Sequence, residues 1–202
     1  MTTQDQNAHQ PQVLTEVHQR FIDTGIQEIA RNGYAGANIN TISLSAGFAK
    51  GTIYNYFMSK QDLMFAILEQ SASDHLSFIA ETIREDDHPV KRLKRFFEAG
   101  FKFVEASPAR GQVLISTIYG THPAFKERLY QAYQPMFQLV ADQILAPGIA
   151  QGLFREMEIL DTSVMIMNIY LGTASNVDPD GRSWIDHEKV SGFVLHSIRR
   201  IQ

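Results

Sequence analysis

Lys50, Thr52, Asn55 and Tyr56 lie within a seven-residue stretch. An ammonium, a hydroxyl, a carboxamide and a phenol make no nucleophile–base pair. They are the groups that bind phosphate oxygens and base edges, and an Asn can pair with adenine through both ends of its amide. For this they must stand outward on one short element. The sequence supplies one, a short helix opening near Lys50 and closing near Phe57. Before it, Asn38 is a good N-cap for a second short helix running to about Ala46. Gly47 breaks that helix and relieves the backbone at a tight turn. Ala46 is small where two helices approach, and Ile42, Phe48, Ile53 and Phe57 can fill a compact core beneath them. Upstream, Val17, Phe21, Gly25 and Ile29 share a helical face with Ile22 and Ile26, while Glu16, Arg20, Asp23, Gln27 and Arg31 take the other side. Asn32-Gly33 is a stop signal. Three short helices with Gly at the second turn are the pattern of a helix-turn-helix.

The stretch Ala46-Gly47-Phe48-Ala49-Lys50-Gly51-Thr52-Ile53-Tyr54-Asn55-Tyr56-Phe57-Met58-Ser59-Lys60-Gln61-Asp62-Leu63 resembles the signature of TetR/AcrR-type transcriptional regulators. Gly33-Tyr34, Asn38 and Ile42 also sit at that family's spacing, and the likeness covers residues 14 to 68. The resemblance implies phosphate or base contacts at Lys50, Gly51, Thr52, Tyr54 and Tyr56, with Asn55 at a variable reading position. It implies backbone contacts at Asn38 and Asn40, and a phosphate clamp at Lys60, where a long fourth helix begins. Three positions depart from the family pattern: Phe48 replaces Val, Ala49 replaces Ser and so removes a hydroxyl, and Ser43 replaces Ala.

Composition bounds the rest. The 202 residues are 44% hydrophobic and 20% charged, enough to bury a substantial core. The net charge of −4 is unusual for a nucleic-acid binder, so positive groups must be grouped locally. The absence of cysteine excludes disulfides, thiolate catalysis and Cys-ligated zinc. The seven histidines have no metal-ligand spacing on a helix, so no metal or cofactor is expected, and His122 and His187 flank turns. No G-x-S-x-G, P-loop or H-E-x-x-H motif is present, so no catalytic residue is assigned and the chain is read as a non-enzyme. The opening residues Met1 to Pro11 are polar and no apolar run approaches bilayer length, so a soluble, cytoplasmic protein with no membrane partner is expected.

Residues 1–12 read as a disordered arm, 13–60 as the helix-turn-helix domain and 61–202 as a helical ligand-binding and dimerisation domain. Ser59 caps the fourth helix, which runs to about Glu85, and Asp86-Asp87-His88-Pro89 is a linker-like break. Further helical stretches follow: one through Leu93 to Val104 stopped by Ser107-Pro108, then Gln112 to Tyr119, Ala124 to about Leu145 with a perturbation at Pro135, a turn at Ile149 to Phe154, Asp161 to Ser175, and Ile185 to Ile201. The fold class is all-α with about nine helices. Aromatic residues are dense in this second part. Most must be core, but an apolar cavity between helices is expected, and the resemblance places an effector there. Phe97, Phe101 and Phe137 are candidate walls, and Tyr119, Tyr133, Gln134, Asn168 and Tyr170 candidate polar contacts. The ligand read from this bias is apolar or aromatic. Met165, Ile166, Ile169 and Tyr170, and then Val190, Phe193, Val194, Ser197, Ile198 and Ile201, recur at helical spacing with Gly172 and Gly192 beside them. Two such helices from two chains could build a four-helix interface. The expected function is a homodimeric repressor released from a palindromic DNA operator by a small-molecule effector. The alternative is a ligand-independent dimeric regulator.

Overall fold

The computed structural model describes residues 6–84, 87–178 and 182–200, with side chains from Thr15 onward. It is all-helical, and the described residues form two isolated β-bridges, Phe154 with Arg199 and Val177 with Ser183. Helices α1 (Gln6–Gly36), α2 (Ile39–Ser45), a 3₁₀ turn (Thr52–Asn55) and the start of α3 (Lys60–Thr82) make a first compact unit, Met1–Glu69. The rest of α3, then α4 (Pro89–Ala106), α5 (Pro108–Tyr119), α6 (Pro123–Val140), a π-helical turn (Ala141–Leu145), α7 (Ala146–Ala150), α8 (Ile159–Ala174) and α9 (His187–Ile198) make a second, Gln70–Gln202. Of the arm read from the sequence, residues 1–5 lie outside the described residues and 6–12 belong to α1.

In the first unit Phe21, Ile22, Ile26 and Ile29 are buried, as their spacing requires. Gly25 sits against α3, and a Cβ there would fall 2.9 Å from Ile67 and 3.2 Å from Leu63. Gly33 takes φ 68° and ends the regular part of α1. Ser59 caps α3 by accepting from the Asp62 N–H at 3.1 Å, and the Asp62 carboxylate reaches back to the Met58 N–H at 3.1 Å.

In the second unit the sequence reading misplaced several helix ends, for one reason. The sequence suggests breaks or stops at Pro89, Pro108 and Pro123, and each instead begins the next helix. A first-turn N–H has no intrahelical partner, so proline loses nothing there. The Ala146-Pro147-Gly148 break is also corrected, because the chain stays helical through it. Pro147 cannot donate to the Gln143 carbonyl, which is taken by Arg92 Nη1 at 2.8 Å, and the widened π turn takes up the local misfit. Gly148 is needed for another reason: a Cβ would fall inside the Phe154 ring, 2.0 Å from its nearest carbon. At the end of α3, Arg95 Nη1 donates to the Thr82 carbonyl at 3.2 Å, and the helix stops there rather than near Glu85.

Candidate nucleic-acid interface and ligand cavity

The candidate reading element is built by two left-handed glycines. Gly47 (φ 87°) turns the chain after α2, and the Ser43 hydroxyl, fully buried, donates to the Ala49 carbonyl at 2.7 Å. Ser43 is thus more than a tolerated departure from the family pattern, since it ties the end of α2 to the turn. Gly51 (φ 86°) then opens the next element. The sequence predicts an α-helix from Lys50 to Phe57, and the structure corrects this to a 3₁₀ turn over Thr52–Asn55. A left-handed residue at the second position and β-branched Thr52 and Ile53 leave too short a run for α-helical closure. The turn is pinned from below: Ile53 and Ile42 are fully buried and Phe57 nearly so, and Phe21 packs against Phe48, Tyr56 and Phe57 with ring centres 5.1, 5.3 and 6.4 Å away.

On that platform Lys50, Tyr54 and Asn55 are exposed, and Tyr54 keeps 51% of its surface in water. Gly51, Thr52 and Tyr56 are half-buried beside them. Asn38 and Asn40 are exposed at the start of α2, where the Asn38 carboxamide oxygen accepts the Asn40 N–H at 2.9 Å. Lys60 stands differently from the clamp the sequence suggested. Its ammonium donates to the carbonyls of Tyr34 (2.8 Å), Ala35 (3.2 Å) and Ala37 (2.9 Å) and lies 4.7 Å from the centre of the Tyr34 ring. An ammonium has three protons and all three are engaged. In this state Lys60 closes the broken end of α1 and has no donor left for a phosphate. Sequence reasoning missed His18, which stacks on Phe57 with ring centres 4.7 Å apart. With Thr15, Asn55 and Tyr56 it lines a surface hollow, and its only signal was its place one turn before Phe21.

The second unit holds a cavity of about 170 Å³ between α5, α6 and α8. Of the candidate ligand residues, Tyr133, Phe137 and Asn168 line it. Phe97, Phe101 and Tyr170 are buried core, whereas Tyr119 and Gln134 are exposed and off its wall. The missed walls are Ile118, Leu129, Val164, Met167 and Leu171, which read as ordinary helical apolar positions, together with Tyr130 and Lys126. Behind Tyr133 lies a feature no motif announced, the buried His75 on α3. Its Nδ1 is 3.0 Å from the Tyr133 hydroxyl and its Nε2 is 2.9 Å from the Tyr170 hydroxyl, which donates to the Gly100 carbonyl at 2.8 Å. Burial, aided by the nearby Arg110 guanidinium, holds the imidazole pKa down to about 3, so the ring is neutral. Burial pushes the Tyr133 and Tyr170 phenols upward, Tyr170 further helped by its neighbour Tyr133. Among the described residues no three His, Asp or Glu side chains converge on a possible metal position.

Residues 21–67, the segment holding the glycine turns and the exposed Lys50, Tyr54 and Asn55, match the sequence profile of bacterial regulatory proteins of the tetR family. Those residues are a tetR-family segment. The chain is 23% identical over 139 residues to a fatty acid metabolism regulator protein of Bacillus subtilis, covering 69% of this chain and 71% of that one. It is 33% identical over 86 residues to the transcriptional repressor DhaR of a Mycobacterium species, covering 42% of this chain and 43% of that protein. Its fold matches the fatty acid degradation regulator FadR of Bacillus halodurans with a TM-score of 0.80 at 22% identity, over 92% of this chain and 97% of that one. It also matches FadR of Bacillus subtilis, solved in complex with stearoyl-CoA, with a TM-score of 0.73 at 22% identity, over 88% and 95%. These relatives are regulators rather than enzymes, and this chain is a DNA-binding transcriptional regulator. Among the described residues no helix is long and apolar enough to cross a membrane.

Proposed function

We propose that this regulator is a cytoplasmic repressor that binds a palindromic operator as a homodimer and is released by a small apolar or aromatic ligand. The observation that carries the reading is the pinned turn: Ile53 is fully buried while Tyr54 and Asn55, next to it in sequence, face water. Such a turn presents side chains without paying to order them on binding. Lys50, Thr52, Tyr54, Asn55 and Tyr56, with Gly51 and the start of α2 at Asn38 and Asn40, form the contact face. Lys60 acts in it by holding α1 rather than by clamping phosphate. With Lys50 the exposed cation of the reading turn, binding should depend only modestly on salt.

One such element reads too few base pairs to choose a genomic site, so a dimer is part of the reading. Ile166, Tyr170, Val190, Val194 and Ile198 are buried in their own chain and are withdrawn from the interface. Leu160, Met165 and Phe193 remain 57–65% exposed on α8 and α9 and are the apolar face a partner would cover. Ile201 lies outside the described residues. Effector binding is assigned to the α5–α6–α8 cavity, whose apolar walls favour a ligand of the same character. A packed second unit would have favoured the ligand-independent alternative.

The test is selection of bound DNA from a random pool, followed by release assays with stearoyl-CoA, free fatty acids and aromatic carboxylates. A palindromic site should emerge. Tyr54→Ala with Asn55→Ala should weaken it by about 30-fold or more with unchanged helicity. A pool that yields no preferred sequence, or a double variant that binds like wild type, removes the reading.

A further inference from the structure

We infer that His75 is the positioning residue that keeps the cavity wall and α3 in one register, so that filling the cavity is felt along the helix; this rests on the effector role given above to the cavity. The proton arrangement around the ring is forced. Tyr170 spends its only hydroxyl proton on the Gly100 carbonyl, 2.8 Å away. Its oxygen can therefore only accept, and Nε2 of His75 must carry a proton to donate to it. A neutral ring protonated on Nε2 has a bare Nδ1, which accepts from the Tyr133 hydroxyl. The chain Tyr133, His75, Tyr170, Gly100 thus runs in one direction and leaves no member unpaired.

Its four members come from α6, α3, α8 and α4. The fit is close at both ends. The His75 ring lies flat on Phe103, centres 4.3 Å apart and planes within 6°. Tyr170 reaches Gly100 only because that residue has no side chain, since a Cβ would stand 2.6 Å from the tyrosine ring. A buried network of this kind tolerates one arrangement of its helices, because any slip strands a polar group away from water. Tyr133 is both its first donor and a wall of the cavity. A ligand that moves this ring must stretch the bond to His75. His75 lies on α3, fifteen residues after Lys60 in sequence. Two arrangements of the network, filled and empty, would make α3 the two-state element that effector control requires.

The experiment is a double-mutant cycle read as operator affinity, with the selected DNA site as probe. Val164→Phe places a ring in the cavity from the α8 side and substitutes for an effector. It should weaken operator binding at least tenfold in the wild-type background. It should do the same with His75→Gln, whose carboxamide oxygen can accept from Tyr133 while its NH₂ donates to Tyr170. With His75→Phe, which keeps the stack on Phe103 but neither hydrogen bond, the penalty should fall below threefold. Tyr133→Phe, which removes only the terminal hydroxyl, should give the same uncoupling if His75→Phe folds poorly. A tenfold penalty that survives in His75→Phe or Tyr133→Phe overturns the proposal, as does a Gln variant that behaves like Phe. No penalty in the wild-type background, with the new ring seen inside the cavity, overturns the effector reading itself and the coupling with it.

Discussion

Lys60 and His75 stand fifteen residues apart on α3, and the molecule treats these two nitrogen side chains in opposite ways. Lys60, half-buried, spends three protons on backbone carbonyls at the end of α1. His75, with no exposed surface, is kept neutral and spends one proton and one lone pair on two phenols. The contrast follows from solvent. Where water still reaches, an ammonium can gather several acceptors cheaply. In the interior a charge would cost several kcal/mol, and only a neutral ring with both nitrogens satisfied fits. In the first unit, polar side chains stand exposed on the proposed contact face. In the second, they choose one packing of helices.

Acid should expose the difference most strongly. The His75 pKa is about 3 in the folded protein against 6.5 in the unfolded chain, so the unfolded chain binds the extra proton between those values. Stability from this residue is complete above about pH 6.5 and is lost as pH falls toward 3, to a limit of about 5 kcal/mol. At pH 4.5 the loss should be about 3 kcal/mol. Urea unfolding of wild type and His75→Gln at pH 7 and pH 4.5 isolates it. Wild type should lose about 3 kcal/mol more than the variant, and equal losses would mean that the ring is not held neutral.

The two lysines of the first unit sharpen the comparison at a smaller scale. Lys60→Met returns the carbonyls of Tyr34, Ala35 and Ala37 to water and should cost about 2 kcal/mol of stability. Lys50→Ala, at an exposed position, should change stability by less than about 0.5 kcal/mol. On DNA the order should reverse in kind, with Lys50→Ala lowering the log–log salt slope of binding by about one. A Lys60→Met protein that is fully stable but loses a unit of salt slope would restore Lys60 as a phosphate clamp.

The two units also differ in how much of them the sequence disclosed. In the first, the proposed contact face sits on a contiguous stretch from Gly47 to Tyr56, so residue types and spacing pointed to Lys50, Tyr54 and Asn55, which are exposed. What escaped was local geometry: a left-handed Gly51 turned the reading helix into a 3₁₀ turn, and Lys60 found carbonyls more than twenty residues upstream. In the second, helical character was plain but helix starts were not, because proline means stop or start according to which side the helix lies. The cavity walls come from three helices, and only Tyr133, Phe137 and Asn168 were among the residues singled out. His75 and Tyr170 are ninety-five residues apart, and nothing local in either neighbourhood announces the bond between them.

The smallest expected effect separates folding from reading at one residue. Asn38 caps α2 through its carboxamide oxygen and also lies exposed at the proposed DNA face. Asn38→Ala removes both functions and should cost about 1 kcal/mol of stability. Asn38→Ser restores an oxygen that can accept the same N–H, so its stability should stay within a few tenths of a kcal/mol of wild type. If Asn38 serves only as a cap, operator affinity in the Ser variant will match wild type. If its NH₂ also reaches a phosphate, the Ser variant will be as stable as wild type yet bind the operator several-fold more weakly. Thermal unfolding and operator titration of the same two variants decide between them, because a cap acts on both measurements and a contact acts on one.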